Sequence, residues 1–268
     1  MFKTLTSIAI LTALTAAASA ADLPRRAPPP AFTPVPVFTW TGAYFGINAG
    51  YITSTKETVN TAGVFANNTG VTTGNRPGAL PLPQSGFTGG GQVGYNYQFT
   101  PGSGVVVGVE ADAAYTEMNR TRSYTGALGG ISTYNQSLDY LGTVRGRIGY
   151  AFDRTLVYAT GGLAYGGTTY RSLFETAAGN PNFYGSRSQT DIGWTAGGGI
   201  EYALPTDSFL NFFRSSAVTL KAEALYYDLG NHTVPLTAVG SGSGAYTARY
   251  QNEGVLGRVG LNYKFGSY

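Results

Sequence analysis

The chain has 268 residues, 39 of them glycine and 20 tyrosine, with 12% charged residues, no cysteine and a formal net charge of +3. The lack of cysteine excludes a disulfide scaffold, and so small a charge argues for no nucleic-acid partner. A charged content well below the roughly 25–35% of a soluble surface, beside 13% aromatics, suits a wall that faces lipid.

Residues 1–20 have the form of a secretory signal peptide. Lys3 supplies the positive start, an apolar run begins at Ile8-Ala9-Ile10-Leu11, and Ala18-Ser19-Ala20 is a small-residue cleavage site. The run is shorter than the roughly 20 apolar residues of a spanning helix, and Thr4, Thr6, Thr12 and Thr15 break it. Export through the general secretion pathway is therefore expected. Residues 21–39 are proline-rich, with Pro24, Pro28, Pro29, Pro30, Pro34 and Pro36. Proline fixes φ and removes a donor, so this segment is extended and unpaired. It reads either as a periplasmic arm that touches peptidoglycan or as a tether that clears the secretion machinery.

From Trp40 onward the hydrophobic period becomes two. Residues 42–53, 86–99, 105–116, 138–152, 156–170, 189–204, 217–228 and 254–265 each read as a strand. The connections alternate. Those at 54–85, 117–137, 171–188 and 230–249 are long and polar, those at 100–104 and 153–155 are short, and 205–216 is intermediate. Long loops on one side and short turns on the other are the outer-membrane pattern. The predicted fold over residues 40–268 is all-β: an eight-stranded antiparallel up-and-down transmembrane β-barrel with both ends in the periplasm. A count of ten follows if the 54–85 segment pairs above the membrane.

Aromatic residues gather at the strand ends. Trp40, Tyr44, Tyr97, Phe99, Tyr150, Phe152, Tyr202, Tyr263 and Phe265 are expected at the periplasmic interface. Tyr51, Tyr115, Tyr140, Tyr165, Trp194 and Tyr226 are expected at the outer one.

Charges on the lipid face cost about 2–4 kcal/mol each at the midplane, so those within the strands must point inward. Counted up from the periplasmic turns, Glu110 and Arg147 share a depth, as do Asp112 and Arg145. Glu223 faces Arg258, and Lys221 lies level with Glu201. An eight-stranded interior is just wide enough for side chains to fill, so these opposite charges can form a plug held by charge-assisted bonds. A general diffusion porin would need about 16 strands. A narrow, porin-like path for small solutes or ions remains the alternative, because a polar interior also holds water.

Motifs for chemistry are sparse. Gly89, Gly91 and Gly94 match a dinucleotide fingerprint only formally, since they lie inside a strand and open no helix. One histidine and no cysteine cannot build a common zinc site. Some lipid-modifying hydrolase barrels carry His-x-Ser with an acid near the rim. Here His232 is followed by Thr233 and Val234, and although Glu253 is near in sequence the nucleophile is missing. The long loops, rich in Thr, Asn, Gly and Ser, allow surface adhesion or ligand binding but name no ligand.

Three pieces carry a family resemblance. They are Ala21-Asp22-Leu23-Pro24-Arg25-Arg26-Ala27-Pro28-Pro29-Pro30, then Phe38-Thr39-Trp40-Thr41-Gly42-Ala43-Tyr44-Phe45-Gly46, and Gly257-Arg258-Val259-Gly260-Leu261-Asn262-Tyr263-Lys264-Phe265. Together they resemble the RopB-like porin family, small outer-membrane β-barrel proteins of alphaproteobacteria with a barrel similar to that of OmpA and OmpX. The resemblance implies an abundant envelope protein that supports membrane integrity, with no enzymatic activity; some members of the family bind haem at the surface, but no residue here carries that over, so no cofactor is expected. The expected partners are outer-membrane lipid and lipopolysaccharide, and the barrel-assembly machinery. That machinery reads a C-terminal aromatic in phase with the last strand. Tyr263 and Phe265 are in phase and Tyr268 is not, so Tyr263 and Phe265 are the expected assembly signal, with residues 266–268 trailing into the periplasm.

Overall fold

The computed structural model describes residues 37–266 except 57, 206, 207, 209, 241 and 242, with residue 65 described through its backbone only. The signal peptide, the arm as far as residue 36 and the last two residues lie outside the described residues.

Ten antiparallel strands follow in chain order: β1 (Gly42–Ser54), β2 (Thr58–Val64), β3 (Ala79–Pro81), β4 (Ser85–Gln98) and β5 (Ser103–Thr125), then β6 (Ile131–Phe152), β7 (Thr155–Glu175), β8 (Pro181–Ala203), β9 (Ala217–Ala238) and β10 (Ala245–Phe265). A five-residue helix, α1 (Asn68–Thr72), lies between β2 and β3. Eight strands form the ring in the order β1-β4-β5-β6-β7-β8-β9-β10, and the pairing of β1 with β10 closes it. Closure removes the sheet edges that lipid could not satisfy. The other two strands extend the sheet above the end of β1. There β2 pairs with residues 245–249 of β10, and β3 pairs with β2. The ring is thus eight-stranded and the sheet ten-stranded.

Strands β5 to β10 run 21 to 23 residues, about twice the 9–11 residues that a membrane requires. Residues 119–125, 131–137, 171–175, 181–188, 233–238 and 245–249, expected as loop, are strand. The reason is an inversion of polarity along each strand. In the membrane half the outward positions are apolar, as with Val144 and Ile148, and the inward ones are polar. Above it Asn135, Thr133, Arg171 and Thr237 face out, while Tyr134, Tyr170, Phe174, Val234, Leu236 and Tyr250 fill the interior. A pattern sought as apolar-out stops halfway, although the pleat continues. β6 changes phase at a bulge beside Asp139, and β9 does so at Gly230, whose φ of 85° only glycine adopts readily.

Four layers fill the interior. Phe38, Trp40, Val106, Leu156 and Tyr158 close the periplasmic mouth. A charged layer follows, then an apolar one of Ile52, Met118, Leu138, Leu141, Leu225 and Leu256, and last the outer core around Tyr134 and Phe174. The 54–85 segment caps the outer core. Its buried Arg76 donates to the Ile131 carbonyl at 2.6 Å and the Glu175 carbonyl at 2.9 Å, and lies 4.8 Å over the Phe174 ring. Burial draws the Arg76 pKa below the ordinary guanidinium value.

Two aromatics differ from the expected girdle. Trp40 turns into the mouth, where its indole N–H donates to the Asp153 carbonyl at 3.0 Å and its backbone N–H to Gln98 Oε1 at 2.7 Å. Tyr44 sits on the inward face of β1 and enters the charged layer. Tyr97, Phe99, Tyr150, Phe152, Tyr202 and Phe265 below, and Tyr51, Tyr115, Tyr140 and Trp194 above, face outward. Tyr165 and Tyr226 are half-buried.

Candidate functional site: a closed charge network in the barrel

The charged layer is built by alternation. Inward positions two residues apart on neighbouring strands stack into rungs, which place Glu110 and Asp112 on β5, Arg145 and Arg147 on β6, Glu201 on β8, Lys221 and Glu223 on β9, and Arg258 on β10. The structure brings all eight together, and every one is buried.

Arg145 is the hub. Its guanidinium reaches Glu110 at 2.5 Å, Glu223 at 2.9 Å and Asp112 at 3.0 Å. Arg258 bridges Glu223 at 2.7 Å and Asp112 at 3.0 Å. Arg147 reaches Glu201 at 2.7 Å, and Lys221 donates to both Glu110 oxygens at 2.8 and 3.0 Å. Four carboxylates meet four cations, so the layer is formally neutral. Each ion lost from water regains several charge-assisted bonds, the condition under which buried ions are tolerated.

The partners differ in detail from those read by depth. Glu110 lies opposite Arg145 in the ladder rather than Arg147, whose contact with Glu110 is the longer one at 3.4 Å. Asp112 lies opposite Thr143 and meets Arg145 diagonally. Glu223 and Arg258 do face each other. Lys221 is opposite Glu201 in the register, yet its ammonium crosses the lumen to Glu110. Depth along a strand does not capture the stagger of tilted strands, and an interior one or two side chains wide lets a long chain choose a partner across it.

Neutral side chains complete the layer. Tyr44 Oη donates to Glu110 at 2.7 Å, Tyr158 Oη to Glu223 at 3.0 Å, Thr143 to Asp112 at 2.5 Å, and Thr219 and Asn262 to Glu201 at 2.5 and 2.9 Å. The Arg147 guanidinium lies 4.2 Å over the Tyr158 ring. Parity alone could have found Tyr44, which alternates with Ala43 and Phe45. Tyr158 was hidden by the glycines that blur the faces of β7.

The remaining sequence candidates lie elsewhere. At the outer end His232 Nε2 is 3.2 Å from Asp191 and its ring stacks on Tyr170. Glu253 pairs instead with Lys56 at 2.7 Å and accepts a bond from Tyr226. The carboxylate beside His232 is thus Asp191, while the histidine ring nitrogens hydrogen-bond to Gln189 at 2.9 Å and the Leu229 carbonyl at 3.0 Å. Phe265 faces outward and stacks on Phe45 with ring centroids 5.4 Å apart. Tyr263 shares that face but is covered by the segment before β9.

Residues 6–265 match the family model described as outer membrane protein beta-barrel domain. The chain belongs to this outer-membrane β-barrel family. A 31 kDa outer-membrane immunogenic protein of Brucella melitensis is 36% identical over 97% of this chain and 98% of that one. A 22 kDa outer membrane protein of Rhizobium leguminosarum bv. viciae is 28% identical over 66% of each. Among solved structures, the outer membrane protein OprG of Pseudomonas aeruginosa covers 85% of this chain and 97% of its own length, at 17% identity and a TM-score of 0.47. The family member described here is accordingly an outer-membrane protein with alphaproteobacterial relatives.

Proposed function

We propose that this protein is a closed, non-catalytic barrel that supports envelope integrity and presents its outer half to the surroundings. One observation carries the reading: a buried, charge-balanced layer lies between apolar layers above and below it, so a hydrated ion meets side chains at every level. Opening a path would strand buried charges, which is costly. The outer half, with a soluble-type core and a polar outer face, stands where lipopolysaccharide surrounds a barrel and is the surface offered to it. The Brucella relatives are named as immunogenic, which accords with a surface held outward.

Planar-bilayer recording on refolded protein tests the closed state. The expected result is no steady conductance. A steady conductance that disappears when Arg145 and Arg147 are neutralised would overturn it in favour of a narrow channel.

A further inference from the structure

Residues 210–216 of the connection between β8 and β9 do not hang free below the barrel. Tyr263 faces outward on β10 in phase with Phe265, yet it is only 8% exposed. The cover comes from this connection. The Phe213 ring meets Tyr263 edge-on at 4.8 Å and Phe45 at 5.8 Å, and Tyr263 Oη donates to the Leu210 carbonyl at 2.9 Å. Phe45 itself points away from the lumen. Residues 210–216 therefore lie against the outside of the wall.

The fold of this segment is fixed by its own bonds. Asn211 Oδ1 accepts from the Ser215 backbone N–H at 2.8 Å, and Asn211 Nδ2 donates to the Ser215 carbonyl at 3.0 Å. Ser216 N–H donates to the Lys264 carbonyl at 2.9 Å, which ties the segment to the end of β10. Between these clasps Phe212 and Phe213 are 75% and 60% exposed. Arg214 follows them with φ 48°, a conformation that non-glycine residues rarely adopt.

We propose that residues 210–214 form an anchor in the periplasmic-side leaflet of the outer membrane, with phospholipid as the occupant of this surface. Two exposed phenyl rings on a clasped tip have no use in water, and they continue the apolar wall at Phe45, Tyr202 and Phe265. Phe212 enters the acyl chains. Arg214, exposed and two residues further on, lies at the depth of the anionic phosphates, the arrangement of an interfacial aromatic–basic pair.

Because the chain has no cysteine, single-cysteine labelling tests this directly. Phe212→Cys carries a bimane fluorophore in full-length barrel refolded into phosphatidylcholine vesicles with acyl chains brominated mid-chain. Ile148→Cys on the outward wall is the lipid reference and Thr100→Cys in the β4–β5 turn the water reference. Quenching at Phe212→Cys is expected to approach that at Ile148→Cys and to exceed that at Thr100→Cys several-fold. Arg214→Cys is expected to respond to a headgroup spin label, and it supplies the readout if Phe212→Cys shows no heat-shifted gel migration. Quenching no greater than at Thr100→Cys overturns the anchor. So does disulfide cross-linking of Phe212→Cys between barrels without quenching, which would mark a contact between copies.

Discussion

Among the four cations of the charged layer, Arg145 has the most carboxylates within 3.0 Å. It touches three carboxylates, and removing it leaves buried negative charge without a counter-ion. Arg145→Met is expected to cost about 3–5 kcal/mol, read as a lowered urea midpoint of the refolded barrel. The same substitution in a Glu110→Gln background should cost less than the sum of the two, because the residues share one network. Tyr158→Phe removes one hydroxyl donor from Glu223 and should cost about 1.5–3 kcal/mol by the same measurement. At this scale the eight charged residues were legible, since a charge in a membrane strand has to face inward. Their pairing was not legible, because Lys221 passes its ladder neighbour Glu201 to reach Glu110.

Strand against strand, small residues make room for large ones. Gly142 lies opposite Tyr165 in the β6–β7 ladder, and a Cβ there would collide with the tyrosine ring. Gly142→Val should expel the ring at a cost of about 1–3 kcal/mol, visible as a lower temperature for the gel-mobility transition. The outer halves of the strands, with their own core, should behave as sheet rather than loop. Backbone amides of residues 131–137 are expected to exchange with deuterium nearly as slowly as those of residues 143–149. Fast exchange there would show that the extension frays. Arg76→Ala should free the cap, making residues 54–85 sensitive to protease while the heat-shifted migration persists. The sequence pattern missed these extensions for a definite reason. The apolar positions move from the outer to the inner face, as from Val255 and Val259 to Tyr246 and Tyr250 on β10.

For the molecule as a whole, the first and last strands had to meet, and they do through twelve consecutive residue pairs from Ala43↔Phe265 to Ser54↔Gly254. The strand period, the low charge and the lengths of the connections determined by themselves that the chain forms an antiparallel barrel in the outer membrane, because a two-residue period and the exclusion of charge from lipid are local properties, while the choice between eight and ten strands waited for the closure of β1 on β10. Tertiary structure decided the rest. It set which cation meets which carboxylate, turned Trp40 and Tyr44 inward, folded β2 and β3 onto the top of β10, and laid Phe213 over Tyr263. Each of these depends on distances across the barrel between residues far apart in sequence, and those distances exist only once the ring has closed.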